Sequence, residues 1–305
     1  MDTKSTATVV IGMSHFRLLG PVEIVIGGAE AVFDRRQHRD LLVLLLLHAN
    51  RTLTVDRIAE QMWGGKPPTT AKAQLSNMIS AIRRKLASGA GQVATLARRH
   101  GGYVLDIATE LVDLARFDAL TARARMAPEP AETAGLLRAA VDLWRGQALA
   151  GVYAAYATAA RTALEERRVS AVEDLYQAEL DLGLHIRLVP QLTADAAAHP
   201  FRERLLKQLM IALYRSGRQV EALEAYRGAR RLLADEHGLE PSVALRALEG
   251  RVLRADPTLD HVVSAMTFLN SSGPSGGGPT VSTRPICRRC AGTCCCTPTT
   301  VRTMY

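Results

Sequence analysis

The chain is predicted to be mainly α-helical with a small β component, an N-terminal winged helix-turn-helix followed by an all-α, tetratricopeptide-like helical domain. Three observations predict it. In the first 107 residues, short β-branched runs and a Gly-rich hairpin bracket three helical segments. From 108 to about 256 the chain is rich in Ala and Leu, with Arg and Glu interspersed and brief Gly/Pro breaks. Gly183 and Gly217 lie 34 residues apart, and each separates two helical segments at the period of a helix-pair repeat.

The elements follow in order. Residues 16–20 and 22–26 are β-branched or aromatic runs punctuated by Gly20-Pro21 and Gly27-Gly28, which predicts antiparallel strands, with a third over 31–33. Residues 40–49 form a Leu-rich helix that must be largely buried, ended by Asn50-Arg51. Thr54-Val55-Asp56 opens a second helix through Trp63, and Gly64-Gly65 stops it. Pro67-Pro68 leads into a third helix over 71–86. Residues 93–107 are two strand-like runs joined by Arg98-Arg99-His100-Gly101-Gly102, a β-hairpin signal.

The second zone reads as successive helices at about 115–127, 132–145, 149–182, 186–199, 201–215, 219–236 and 241–254. Around Gly217, Leu206, Leu209, Ala222, Tyr226 and Ala229 fall at the packing positions of a tetratricopeptide repeat. Around Gly183 only Leu175, Leu188 and Leu192 do. The expected organisation is a flexible N-terminus (1–13), a winged-helix domain (14–107), a helical domain (108–260) and a flexible Cys-rich tail (261–305).

Charge follows the same division. Residues 1–107 hold 14 Lys+Arg against 8 Asp+Glu, 108–260 hold 20 against 22, and 261–305 hold 4 against none. Residues 64–105 contain no acid at all. A basic segment beside a near-neutral one predicts that one part meets a polyanion. On a helical wheel, Leu75, Ile79, Ile82 and Leu86 form the third helix's buried stripe. Its other face carries Thr70, Ala73, Asn77, Ser80 and Arg84, with Lys72, Arg83 and Lys85 flanking the stripe. Small polar side chains that reach base edges, with cations placed for phosphates, are what a major-groove helix needs. Arg98 and Arg99 at the hairpin turn suit a wing that reaches the neighbouring minor groove or its phosphates. Arg35, Arg36 and Arg39 precede the Leu-rich helix, where side chains and helix N-terminus together suit phosphate.

Specific strings carry a family resemblance. They include Phe16-Arg17-Leu18-Leu19-Gly20-Pro21-Val22-Glu23, the Leu41–Leu47 run with His48-Ala49-Asn50-Arg51, Met62-Trp63-Gly64, Ile82-Arg83-Arg84-Lys85-Leu86 and Gly102-Tyr103-Val104-Leu105. The match continues in Leu143-Trp144-Arg145-Gly146, Pro200-Phe201-Arg202-Glu203-Arg204-Leu205 and Ala212-Leu213-Tyr214-Arg215-Ser216-Gly217-Arg218-Gln219. Over residues 14–256 the chain resembles the Streptomyces antibiotic regulatory protein family, activators of secondary-metabolite genes. The resemblance implies an OmpR-type winged helix fused to a bacterial transcriptional activation domain. It implies a protein that binds direct repeats near the promoter −35 region and recruits RNA polymerase including its sigma factor; two copies on such repeats raise each other's effective concentration, so a homodimer on DNA is expected. It also implies that Thr70, Lys72, Ser80, Arg83 and Arg84 belong to the recognition helix. The loop of Trp63, Gly64, Gly65, Lys66 and Pro67 is implied to contact polymerase. Ala73 and Ala81 stand where relatives more often have polar or basic side chains.

Other chemistry finds little support. Cys287, Cys290, Cys294 and Cys296 have a spacing that zinc accepts, but the tail around them offers no supported turn, so no metal is assigned. No stretch reads G-x-x-x-x-G-K-[ST], so no phosphate-binding loop is expected, as in the stand-alone form of the family. The histidines are scattered without a nucleophile or base pattern, and neither an enzyme nor a cofactor is expected. The longest aliphatic run is seven residues, against about 20 for a bilayer span, so a cytoplasmic, nucleoid-associated protein without a membrane partner is expected. The competing expectation is a helical-repeat interaction scaffold carrying a degenerate winged helix.

Overall fold

The computed structural model describes residues 14–33, 35–87 and 94–260, which belong to one compact unit. The expected flexible N-terminus and Cys-rich tail lie outside the described residues. The chain opens with an antiparallel sheet of β1 (His15–Arg17), β2 (Glu23–Ile26) and β3 (Ala29–Glu30). The third strand forms at 29–30 instead of 31–33, because the turn at Gly27-Gly28 brings Ala29 directly opposite Ile26.

Helix α1 (Arg36–Leu47) starts four residues earlier than expected and buries every residue from Asp40 to Leu46. The two-residue strand β4 (Leu53–Thr54) leads into α2 (Val55–Trp63). Thr54 caps α2, its hydroxyl accepting from the Arg57 N–H at 3.3 Å. Helix α3 (Ala71–Ala87) follows, then β5 (Ala94–Arg99) and β6 (Gly102–Ile107). The second sheet runs β4-β6-β5, which leaves β5 on the edge. Arg98 faces Tyr103 and Arg99 faces Gly102 across a two-residue turn. At that turn His100 (φ 45°) and Gly101 (φ 75°) both have positive φ, the tight hairpin geometry whose twist matches the strands.

A short 3₁₀ turn (Thr109–Leu111) leads to α4 (Asp113–Met126) and α5 (Pro130–Val141). Then come α6 (Ala157–Asp181), α7 (His185–Ala198), α8 (Glu203–Arg215), α9 (Gln219–His237) and α10 (Val243–Leu253). Helix α6 spans two hydrophobic clusters. Leu164, Ala171 and Leu175 join Phe16, Leu44, Ile58, Ile79 and Phe117 in the first. Val169, Tyr176 and Leu180 join the α7–α10 residues Leu192, Leu205, Leu209, Tyr226 and Leu245 in the second. Of the expected packing residues, Leu206, Leu209, Ala222 and Tyr226 are buried and Ala229 is half-buried against them, while Leu175, Leu188 and Leu192 are buried around Gly183.

The helix expected over 149–182 begins only at Ala157. Leu149 (φ 55°) and Gly151 (φ 88°) turn the chain so that residues 145–150 run beside the β1–β2 connection. There Arg145 N–H donates to Leu19 O (2.8 Å), Leu149 N–H to Leu18 O (2.9 Å) and Val22 N–H to Ala150 O (3.2 Å). Buried Asp113 completes this seam. Its carboxylate accepts from Leu18 N–H (2.8 and 2.9 Å), Leu19 N–H (3.0 Å) and Leu114 N–H (2.7 Å). The sheet that opens the chain is thereby fixed to the first helices of the helical region. No helix among the described residues is long and apolar enough to cross a membrane.

Candidate nucleic-acid interface

Helix α3 owes its orientation to the stripe that the sequence predicts. Leu75, Ile79, Ile82 and Leu86 are buried, joined on the same face by Ala71 and Met78. Burial of that face turns Lys72, Ala73, Ser76, Asn77, Ser80, Arg83 and Arg84 to solvent, with Lys85 half-buried. Thr70, one residue before the helix, accepts from the Gln74 side-chain amide at 2.9 Å. The Ser80 hydroxyl donates back to Ser76 O at 2.9 Å, which keeps it close to the helix surface. Lys72, Asn77, Arg84 and Arg98 have no hydrogen-bond or ion-pair partner among the described residues. Their donors are free for an external acceptor.

Arg83, Arg99, Arg36 and Arg39 have prior engagements, and Arg35 has none among the described residues. Arg83 Nε donates to Leu96 O on β5 at 2.8 Å. Arg99 pairs with Asp106 at 3.1 Å across the hairpin. Exposed as it is, such a pair contributes at most about 1 kcal/mol, yet it halves the net charge on that side of the wing. Arg35 is exposed at the N-cap of α1. Arg36 lies over the ring of Tyr153, 4.7 Å from its centre. Arg39 donates to Val22 O at 2.8 Å. Buried Asp40 sits near both Arg36 and Arg39. Burial raises its carboxyl above the ordinary value, and these two cations pull it back. The structure therefore joins α3 and the hairpin into one basic surface, and sets Arg36 and Arg39 to work within the fold.

The loop after α2 is exposed at Gly64, Gly65, Lys66 and Pro67, with Trp63 half-buried at its root. Gly64 ends α2 with φ 66°, its N–H donating to Glu60 O at 2.7 Å. The start of the helical region holds this root in place. Tyr156 N–H donates to Gln61 O at 3.0 Å, and the Tyr156 hydroxyl donates to Asp40 O at 2.7 Å. A Cβ on Gly64 would sit 3.1 Å from Ala155 Cβ. Sequence reasoning missed Tyr153, Ala155 and Tyr156. They lie about 90 residues beyond the loop, in a stretch whose composition reads as plain helix.

Two family models match. Residues 31–105 match "Transcriptional regulatory protein, C terminal" and residues 112–253 match "Bacterial transcriptional activator domain". The regulatory protein AfsR of Streptomyces coelicolor is 42% identical over 258 residues, 83% of this chain and 26% of AfsR. The chain thus spans about a quarter of the length of that relative. The regulatory protein DnrI of Streptomyces peucetius is 37% identical over 257 residues, 81% of this chain and 94% of DnrI. Among solved structures, Mycobacterium tuberculosis EmbR, in complex with a low-affinity phosphopeptide, superposes with a TM-score of 0.75 and 33% identity. That match covers 80% of this chain and 66% of the EmbR chain. The winged-helix surface, the helical region fixed to it and the near-complete match to DnrI lead to one conclusion: the chain belongs to the Streptomyces antibiotic regulatory protein family of transcriptional regulators.

Proposed function

We propose that this chain is a sequence-specific activator that binds double-stranded promoter DNA. Helix α3 occupies the major groove and the β5–β6 hairpin lies alongside it. The observation that carries this is the exposed basic surface, with Asp106 as the acid on its hairpin, on which Lys72, Asn77, Arg84 and Arg98 lack internal partners among the described residues. Thr70, Asn77 and Ser80 supply base-edge contacts, and Lys72, Arg84, Lys85, Arg98 and Arg99 supply the phosphate attraction, with Arg35 beside them. Winged-helix domain (14–107) and helical domain (108–260) divide the work between DNA and protein partners. Two copies bind direct repeats near the −35 region as a homodimer on DNA, each raising the other's effective concentration. The exposed loop at Gly64, Gly65, Lys66 and Pro67, rooted at Trp63, meets RNA polymerase and its sigma factor. The family match supports secondary-metabolite genes as the targets, in the cytoplasm at the nucleoid.

The test is a salt titration of promoter binding. Arg84→Ala and Arg98→Ala should each weaken binding on all sequences alike and lower the slope of log K against log salt by about one. Wild-type slopes in both variants would remove these residues from the interface. Asn77→Ala should instead relax base preference at one operator position, with a discrimination loss of about 1–3 kcal/mol and an unchanged slope.

A further inference from the structure

Adjacent arginines of α3 have opposite surroundings. Arg84 is exposed and has no partner among the described residues. Arg83 reaches the hairpin: its Nε donates to Leu96 O at 2.8 Å, and its guanidinium carbon lies 5.9 Å from the centre of the Tyr103 ring. Leu96 is on β5 and Tyr103 on β6, so one side chain touches both strands. Leu96 lies two residues before Arg98, and Tyr103 is the residue directly opposite Arg98. Because β5 is an edge strand, a carbonyl on its outer side has no neighbouring strand to donate to it. Arg83 fills that place for Leu96. A guanidinium can do this while lying over an aromatic ring, because it is planar and carries donors around its rim. A lysine has neither the planar face nor the Nε–H.

We propose that Arg83 is a positioning residue for the wing. It sets the angle between α3 and the β5–β6 hairpin and thereby places Arg98 against DNA, and it is not itself a phosphate contact. The role in DNA binding rests on the function proposed above. The clamp itself is a property of the free protein.

The test uses the full chain with Arg83→Lys, Arg83→Ala, Arg98→Ala and the double variant Arg83→Ala/Arg98→Ala. Without DNA, both Arg83 variants should speed hydrogen exchange of the hairpin amides between Leu96 and Tyr103 by about tenfold, with α1 and α8 unchanged. On promoter DNA, Arg83→Lys should lose as much affinity as Arg83→Ala, although it keeps the charge. In the Arg98→Ala background, Arg83→Ala should add less than about a twofold loss, because both changes act through one contact. Rescue of affinity by lysine, or losses that multiply in the double variant, would make Arg83 a phosphate ligand and overturn the proposal. Unchanged exchange would overturn it too, whatever the DNA result. If Arg84→Ala and Arg98→Ala leave DNA binding untouched, the DNA reading fails, and the exchange measurement still decides the clamp.

Discussion

Gly102→Ala is expected to unseat the wing. Gly102 begins β6 and is paired on both sides, with Arg99 of β5 and with Thr54 of β4. A methyl group there would lie 2.0 Å from Leu53 O, 2.7 Å from Leu53 C and 3.0 Å from Thr54 Cα. These are backbone atoms, and no side-chain rotation relieves the clash, so β4 must separate from β6. Overpacking of this kind costs about 1–3 kcal/mol, and a fixed backbone neighbour puts Gly102→Ala at the upper end. In a domain of this size about 3 kcal/mol lowers the melting temperature by roughly 6–12 °C. Promoter affinity should fall with it, since β6 carries the strand opposite Arg98. Gly101→Ala is the informative control. Its φ of 75° is unfavourable for alanine, but a Cβ there meets nothing within 4 Å, so it should cost only about 1–2 kcal/mol. Thermal melts of both variants decide the matter. The steric account fails if Gly102→Ala is no more damaging than Gly101→Ala.

That contrast also shows what a sequence discloses and what it hides. The hairpin and the α3 stripe were legible because their signals are local. A 3.6-residue period puts Leu75, Ile79, Ile82 and Leu86 on one face, and His100-Gly101 supplies the two positive-φ positions of a tight turn. What stayed hidden depends on partners far along the chain. Strand β4 is two residues long and exists because β6, some fifty residues later, pairs with it. Residues 149–156 have helix-forming composition, yet they turn back because Ala150 and Leu149 pair with the β1–β2 connection. Charge was legible and its use was not. Arg36, Arg83 and Arg99 look alike in the sequence, but Tyr153, the Leu96 carbonyl and Asp106 engage them, while Arg84 and Arg98 keep their donors free. Composition therefore located the basic stretch, and only tertiary pairing separates the cations engaged within the fold from those whose donors are free.

Asp113→Ala should be the most damaging change in the seam between the N-terminal sheet and the helical region. Leu18 and Leu19 are completely buried, and their N–H groups find their acceptor in the Asp113 carboxylate. With alanine these donors face no acceptor and no water, at a cost of about 1–3 kcal/mol each. Removing a desolvated carboxyl returns part of that, so the expected net loss is about 3 kcal/mol. Asp113→Asn should recover most of the loss. One carboxylate oxygen accepts from both Leu18 N–H (2.9 Å) and Leu19 N–H (3.0 Å), so an amide oxygen in its place keeps both bonds, and only Leu114 N–H loses its acceptor, facing the NH₂ group donor to donor. The pH dependence gives a second, independent signature. Burial raises the Asp113 carboxyl above its ordinary 3.8, outweighing the three N–H donors and Arg145. A carboxyl raised in the folded state binds its proton more tightly there than when unfolded. Its contribution is therefore full below the ordinary value and declines as pH rises through the folded one. The stability gap between wild type and Asp113→Ala should accordingly be widest in acid and narrow toward neutral pH without closing, because the ionised carboxylate still accepts all three N–H groups. Urea titrations of both proteins across that range measure it directly. A gap that grows with pH would show that the N–H donors, and not burial, dominate this carboxylate.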